Sequence, residues 1–178
     1  SSEASDVYKR QVKLGMVASK ELIETIADAL ITYKAKNIVL DPVMVSTSGS
    51  RLIKEDAAEV LKERLMVLAD VITPNIPETE VLTGMTVDSA DSMEKAAIKI
   101  YEHLKTKGGN AAVLVKGGHA VHTANDCLCV DGSIVWLNGE RIDNPNTHGT
   151  GCTLSSAIAA NLAQGLSIEE SVKAAKEY

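Results

Sequence analysis

Three short stretches of this chain carry residue types that can do chemistry at a useful spacing. The sharpest is Gly149-Thr150-Gly151-Cys152, which leads into the run Thr153-Leu154-Ser155-Ser156-Ala157. Two glycines at the start of a helix leave backbone N–H groups bare, and those amides plus the helix dipole form an anion site. Cys152 falls at that positive end, where a thiolate is favoured and accessible. A purely structural cysteine would more naturally sit further along, on the face of Leu154 and Ile158.

The second stretch is Lys116-Gly117-Gly118-His119, directly after Val113-Leu114-Val115. One mobile positive charge beside two glycines suits a polyphosphate, because the backbone can approach the ligand closely. The plain alternative is a tight turn with a solvated lysine. The third stretch, Thr73-Pro74-Asn75-Ile76-Pro77-Glu78, puts an amide and a carboxylate three residues apart. With Asp41 from a neighbouring strand end, Glu78 could hold Mg²⁺ largely through waters, as that ion prefers. Asn75 and Glu78 also have the spacing of a helix capping box, and the two readings can hold together.

These stretches need elements to position them, and the hydrophobic periods alternate along the chain. Val12–Met16, Asn37–Asp41, Val71–Thr73 and Ala111–Val115 are short apolar runs bounded by breakers, which suits buried parallel strands. Ser19 should cap a helix with Leu22, Ile23, Ile26, Ala27, Leu30 and Tyr33 at the 3.6 period. A second helix is expected from about Lys54 to Leu68, and a short one from Glu78 to Thr83 closed by Gly84. Asp91-x-x-Glu94 reads as a capping box for a helix with Met93, Ala96, Ala97, Ile100 and Leu104 on one face, stopped at Gly108-Gly109. Cys127–Val130 and Ile134–Leu137 form a hairpin through Asp131-Gly132. Helices are then expected from Thr153 to about Gln164 and, after the capping box Ser167-x-x-Glu170, toward Tyr178.

Repeated strand–helix units define an α/β fold, a three-layer αβα sandwich with a mostly parallel sheet. In such sheets ligands bind beyond the carboxyl ends of the strands, where all three stretches fall. Residues 1–11 have no periodicity and read as a tail; residues 12–178 read as one domain with neither repeat nor linker.

Composition narrows the function. The chain has 178 residues, 45% of them hydrophobic, enough for one sizeable core. A formal net charge of -6 argues against nucleic acid or an anionic membrane surface as partner. No window approaches the ~18 uninterrupted apolar residues a membrane-spanning helix needs. Three cysteines are too few for a disulfide framework and suit the reducing cytoplasm. His119-x-x-His122 and Cys127-x-Cys129 have zinc-ligand types, but alternating cysteines on a strand share a face, more often a core face. His103 reads as solvated or partly packed, and Trp136 with four tyrosines forms no stacking platform for single strands.

Together, Asp41-Pro42-Val43-Met44, Thr73-Pro74-Asn75-x-x-Glu78, Val115-Lys116-Gly117-Gly118-His119 and Thr147-His148-Gly149-Thr150-Gly151-Cys152-Thr153-Leu154-Ser155-Ser156-Ala157 resemble the hydroxymethylpyrimidine and phosphomethylpyrimidine kinases of the ribokinase-like superfamily. The resemblance covers about Val12 to Tyr178 in the family's own order. Cysteine at 152, where most of the wider superfamily has aspartate, points to the pyrimidine kinases of thiamine biosynthesis, with pyridoxal kinases as nearest neighbours.

The resemblance implies ATP and Mg²⁺ as cofactors, Lys116 with Gly117 and Gly118 at the ATP phosphates, Asn75 supporting them, and Glu78 with Asp41 at the metal. It implies that the backbone from Gly149 through Thr150 and Gly151 to Cys152 stabilises the transferred group, while Cys152 is the general base for the substrate's hydroxymethyl group. The acceptors would be hydroxymethylpyrimidine and its monophosphate; a vitamin B6 kinase and a non-catalytic nucleotide-binding remnant are the alternatives. Family members commonly form homodimers. They also begin with a further strand–helix region lining the pyrimidine pocket and end with closing helices, neither of which is matched here. The expectation is therefore an incomplete ribokinase-like domain with an open sheet edge and little activity alone.

Overall fold

The computed structural model describes residues 11–46, 48–118, 125–139 and 150–178, with the backbone alone at Thr150. Its centre is a six-stranded sheet in the order β1 (Val12–Leu14), β2 (Ile38–Leu40), β3 (Val71–Ile72), β4 (Ala112–Val115), β5 (Asp126–Val130) and β6 (Ser133–Leu137). The first four strands run parallel, β5 runs antiparallel to β4, and β6 runs antiparallel to β5, the mostly parallel pattern expected. β2, β3 and β4 are buried at every position, as parallel strands covered on both faces must be. Asp131 and Gly132 both take positive φ, 50° and 81°, which matches the twist of a two-residue hairpin turn.

The pleat sorts alternate residues into two cores. Ile38, Leu40, Ile72, Val113 and Val115 face one cluster, joined by Ile23 and Ala27 of α1 (Lys20–Thr32) and by Met93, Ala96, Ala97, Ile100 and Leu104 of α4 (Ala90–Thr106). Val39, Val71, Ala112, Leu114 and Leu128 face the other, against Ile158 and Leu162 of α5 (Thr150–Ala163) and Val172 of α6 (Ile168–Glu177). This is the αβα sandwich, and each fully buried Leu or Ile contributes ~1.5–3 kcal/mol to it. Cys127 and Cys129 belong to the first core, and burial, with Glu94 nearby, pushes the Cys127 thiol up to about 12. Both are packing residues. His119 and His122 lie outside the described residues; His103 is exposed, as expected.

Several boundaries differ from the sequence reading. The Lys54–Leu68 segment is not one regular helix: α2 (Glu55–Val60) gives way to a π turn at Leu61–Leu65 and a 3₁₀ turn at Met66–Leu68. The change of pitch accommodates burial of Leu61, Leu65 and Met66 together. α4 is capped by Ser89 with Ser92, not by Asp91 with Glu94. The two acids are otherwise engaged: Asp91 pairs with Lys95 at 2.7 Å, and Glu94 accepts from Trp136 Nε1 at 2.6 Å. α5 begins at Thr150 rather than Thr153, bringing Gly151 and Cys152 into its first turn. The caps at Ser19 and at Ser167 with Glu170 form as read. Among the described residues no helix is long and apolar enough to cross a membrane.

Candidate active site

Parallel strands deliver their carboxyl ends to one edge of the sheet, and the registers determine which residues meet there. Val39 and Leu40 pair with Val71 and Ile72, so Asp41 stands beside Thr73. Val71 and Ile72 pair with Ala112 and Val113, and the same offset continues to an isolated bridge between Asn75 and Lys116. The Lys116 N–H donates to the Pro74 carbonyl at 2.9 Å, locking the two loops side by side.

Asp41 is buried; its Oδ1 accepts from Thr73 Oγ1 at 3.3 Å and lies 3.5 Å from Lys116 Nζ. Lys116 is therefore not a solvated turn lysine, for its side chain is only 18% exposed. Asn75 caps α3 (Ile76–Thr83), which starts two residues earlier than expected and ends at Gly84 in the left-handed conformation. Asn75 Oδ1 accepts from the Glu78 N–H at 2.8 Å, and Glu78 Oε2 accepts from the Asn75 N–H at 2.9 Å. The capping box thus exists and commits one carboxylate oxygen of Glu78. Burial pushes the Glu78 carboxyl up to about 7; the Asn75 N–H and Lys116 oppose that rise, and Asp41 adds to it. A nearly buried acid beside a second acid and one ammonium is a place where added positive charge is welcome.

That donor set suits a hard cation bound mostly through water, because two carboxylates are all it supplies. Among the described residues no group of three or more His, Cys, Asp or Glu side chains gathers around one point, which disfavours a metal enclosed by protein ligands.

The helix α5 completes the site. A Cβ built on Gly151 would lie 3.1 Å from Lys116 Nζ and 3.8 Å from Asp41 Oδ2, so the first turn of α5 faces the Lys116–Asp41 pair directly. The first turn of a helix presents N–H groups that have no acceptor within the helix, and the first turn of α5 stands beside the Lys116 ammonium. Cys152 is exposed rather than packed into hydrocarbon. It borders an open groove of about 600 Å³ with Thr153, Ser156, Asn161 and Tyr178. Gly149, with Thr147 and His148, lies outside the described residues.

Two contributors escaped the sequence reading. Thr73 donates to Asp41, a role visible only once the β2–β3 register is known. Asp126, one residue before the strand expected at Cys127, accepts from the Gly117 N–H at 2.9 Å. The hairpin offers one signal for it: with Val115 opposite Cys127, Asp126 must come opposite Lys116.

A three-layer sandwich with a lysine–glycine turn, paired acids and a glycine-bearing helix start at the strand ends is the architecture of the ribokinase-like kinases. Within that class, the chain belongs to the phosphomethylpyrimidine kinase family, which it matches over residues 1–178. The match takes in the first residues, set apart above as a tail. A hydroxymethylpyrimidine/phosphomethylpyrimidine kinase from Haemophilus influenzae is 39% identical over 98% of this chain, which spans 65% of that relative's length. The crystal structure of phosphomethylpyrimidine kinase from Clostridium difficile 630 superposes with a TM-score of 0.81 at 40% identity, covering 97% of this chain and 68% of that one. An ADP complex of pyridoxal kinase from Bacillus subtilis gives 0.82 at 37% identity, covering 95% and 61%.

Proposed function

We propose that this chain carries the phosphoryl-transfer part of an ATP-dependent kinase acting on 4-amino-5-hydroxymethyl-2-methylpyrimidine and then on its monophosphate, in thiamine biosynthesis. The observation that carries the reading is the convergence of three separate segments: Lys116 Nζ lies 3.5 Å from Asp41 Oδ1, and a Cβ on Gly151 would meet that nitrogen at 3.1 Å and Asp41 Oδ2 at 3.8 Å. Phosphoryl transfer asks mainly for positioning and charge neutralisation, and this cluster supplies both. Lys116 and the Gly117-Gly118 backbone take the ATP phosphates, and Asn75 holds its loop against theirs through the bridge to Lys116. Glu78 and Asp41 hold Mg²⁺, which when bound neutralises phosphate charge. The amides from Gly149 to Cys152 stabilise charge on the transferred group. Cys152, exposed beside them, accepts the proton of the acceptor hydroxymethyl group. In the second step the same amides serve if the acceptor shifts by one phosphate.

A pyridoxal kinase is the second reading, favoured by the comparable superposition on the Bacillus subtilis enzyme. By either reading the protein works in the cytoplasm, and homodimer formation belongs to the same proposal. Two experiments test it. ADP titrated into the 178-residue chain should bind saturably and lose at least ten-fold in affinity in Lys116→Met; absence of binding overturns the reading. An ADP-release assay with hydroxymethylpyrimidine, its phosphate and pyridoxal as acceptors then separates the substrates, and faster turnover of pyridoxal selects the second reading.

A further inference from the structure

The turn that carries Lys116 is anchored from behind by an ion pair that no step above requires. β5 runs antiparallel to β4, so its amino end lies at the same sheet edge as the carboxyl end of β4. Asp126, the first residue of β5, is nearly buried there. Its Oδ1 accepts from the Gly117 N–H at 2.9 Å, and its Oδ2 accepts from Lys176 Nζ, in the last turn of α6, at 2.8 Å. Lys176 Nζ also reaches the Leu137 carbonyl of β6 at 3.5 Å. Burying such a pair is a poor way to gain stability, since apolar residues of similar volume usually serve at least as well. What hydrocarbon could not do is accept the Gly117 N–H.

We infer that Asp126 is a positioning residue for nucleotide binding, fixing the course of the Lys116-Gly117-Gly118 turn, with Lys176 as the counter-charge that keeps its carboxylate in place. A flip of the Lys116–Gly117 peptide would break this bond and leave a buried carboxylate oxygen without its donor, so the observed course of the turn is favoured. Gly118 then continues at φ +55°, and Lys116 keeps its bearing toward Asp41 and Gly151. This rests on the nucleotide-binding reading.

The test separates charge from acceptor. Asp126→Asn/Lys176→Met and Asp126→Ala/Lys176→Met both remove the ion pair, but only the first keeps an oxygen for Gly117. Metal-free ADP is titrated into each and into the parent chain by calorimetry. Affinity within about three-fold of the parent is expected for the asparagine variant, and a loss of at least ten-fold for the alanine variant. Equal affinities in the two variants, with the parent binding, overturn this inference alone; no binding by the parent overturns the kinase reading with it. Should the alanine variant not fold, amide hydrogen exchange at Gly117 in the parent decides. Protection of at least a hundred-fold, with or without ADP, is expected, and exchange at the rate of an open loop overturns the anchor.

Discussion

Gly151 stands against the ammonium of Lys116: a Cβ at position 151 would come within 3.1 Å of Nζ. The obstacle is the far end of a flexible side chain, so Gly151→Ala moves the lysine rather than the fold. Alanine is also the better helix former, by up to about 1 kcal/mol. The variant should therefore melt at the parent's temperature or above it while binding ADP about five- to ten-fold more weakly. Thermal melts and calorimetry on the same samples check both halves; unchanged affinity would separate Gly151 from the phosphate site.

Glu78 makes stability depend on pH with a sign opposite to that of most carboxylates. Its folded-state value, about 7, lies above the ordinary 4.5. Below about 4.5 both folded and unfolded chains hold the proton, and the contribution is fully present. Between 4.5 and about 7 only the folded chain holds it, so stability falls as pH rises through that window and levels off above it, by at most ~3 kcal/mol. Glu78→Gln keeps an acceptor for the Asn75 N–H and removes this slope. Urea unfolding of both proteins at pH 5 and pH 7.5 measures the difference.

The three thiols should react very differently. Cys127 and Cys129 are fully buried, whereas Cys152 is exposed. Iodoacetamide added to the folded chain should place one label, on Cys152, and three after unfolding, as intact mass will show. Because Cys152 packs against little, Cys152→Ala should change stability by no more than about 0.5 kcal/mol. If Cys152 takes the acceptor proton, turnover falls about 10²- to 10⁴-fold while ADP affinity holds.

Asn75→Ala removes one arm of a capping box whose other arm is the site carboxylate. Loss of the 2.8 Å bond to the Glu78 N–H costs about 1 kcal/mol. It also loosens α3 at the point where Asn75 bridges Lys116, so ADP affinity should fall by a few-fold alongside the melting temperature. Asn75→Asp keeps a capping oxygen and should recover the stability.

Much of the fold was legible because its signals are local. Continuous apolar runs with no polar alternation marked β2, β3 and β4 as strands covered on both faces. The Asp131-Gly132 turn, the Ser19 cap and the Ser167–Glu170 box each depend on neighbours a few residues apart, and each formed. The cap of α4 was misread for a reason of the opposite kind. Asp91 and Glu94 have capping-box spacing, but Glu94 is taken by Trp136, 42 positions away, leaving the cap to Ser89 and Ser92. The π turn after α2 was likewise invisible, because it answers to the packing of Leu61, Leu65 and Met66 rather than to propensity.

The sequence alone determined which residue types stand at the strand ends and at the start of α5, and through them the family and the chemistry to look for. Which of those groups touch was decided by the tertiary structure. Lys116 and Asp41 are 75 positions apart, and Asp126 holds Lys176 from 50 positions away. The first distance closes only when β2, β3 and β4 stack in one parallel register, and the second only when β5 returns antiparallel beside β4 and α6 packs its last turn against the start of β5. The alternating pattern of a strand says which face a side chain takes, and nothing about the strand that will lie beside it.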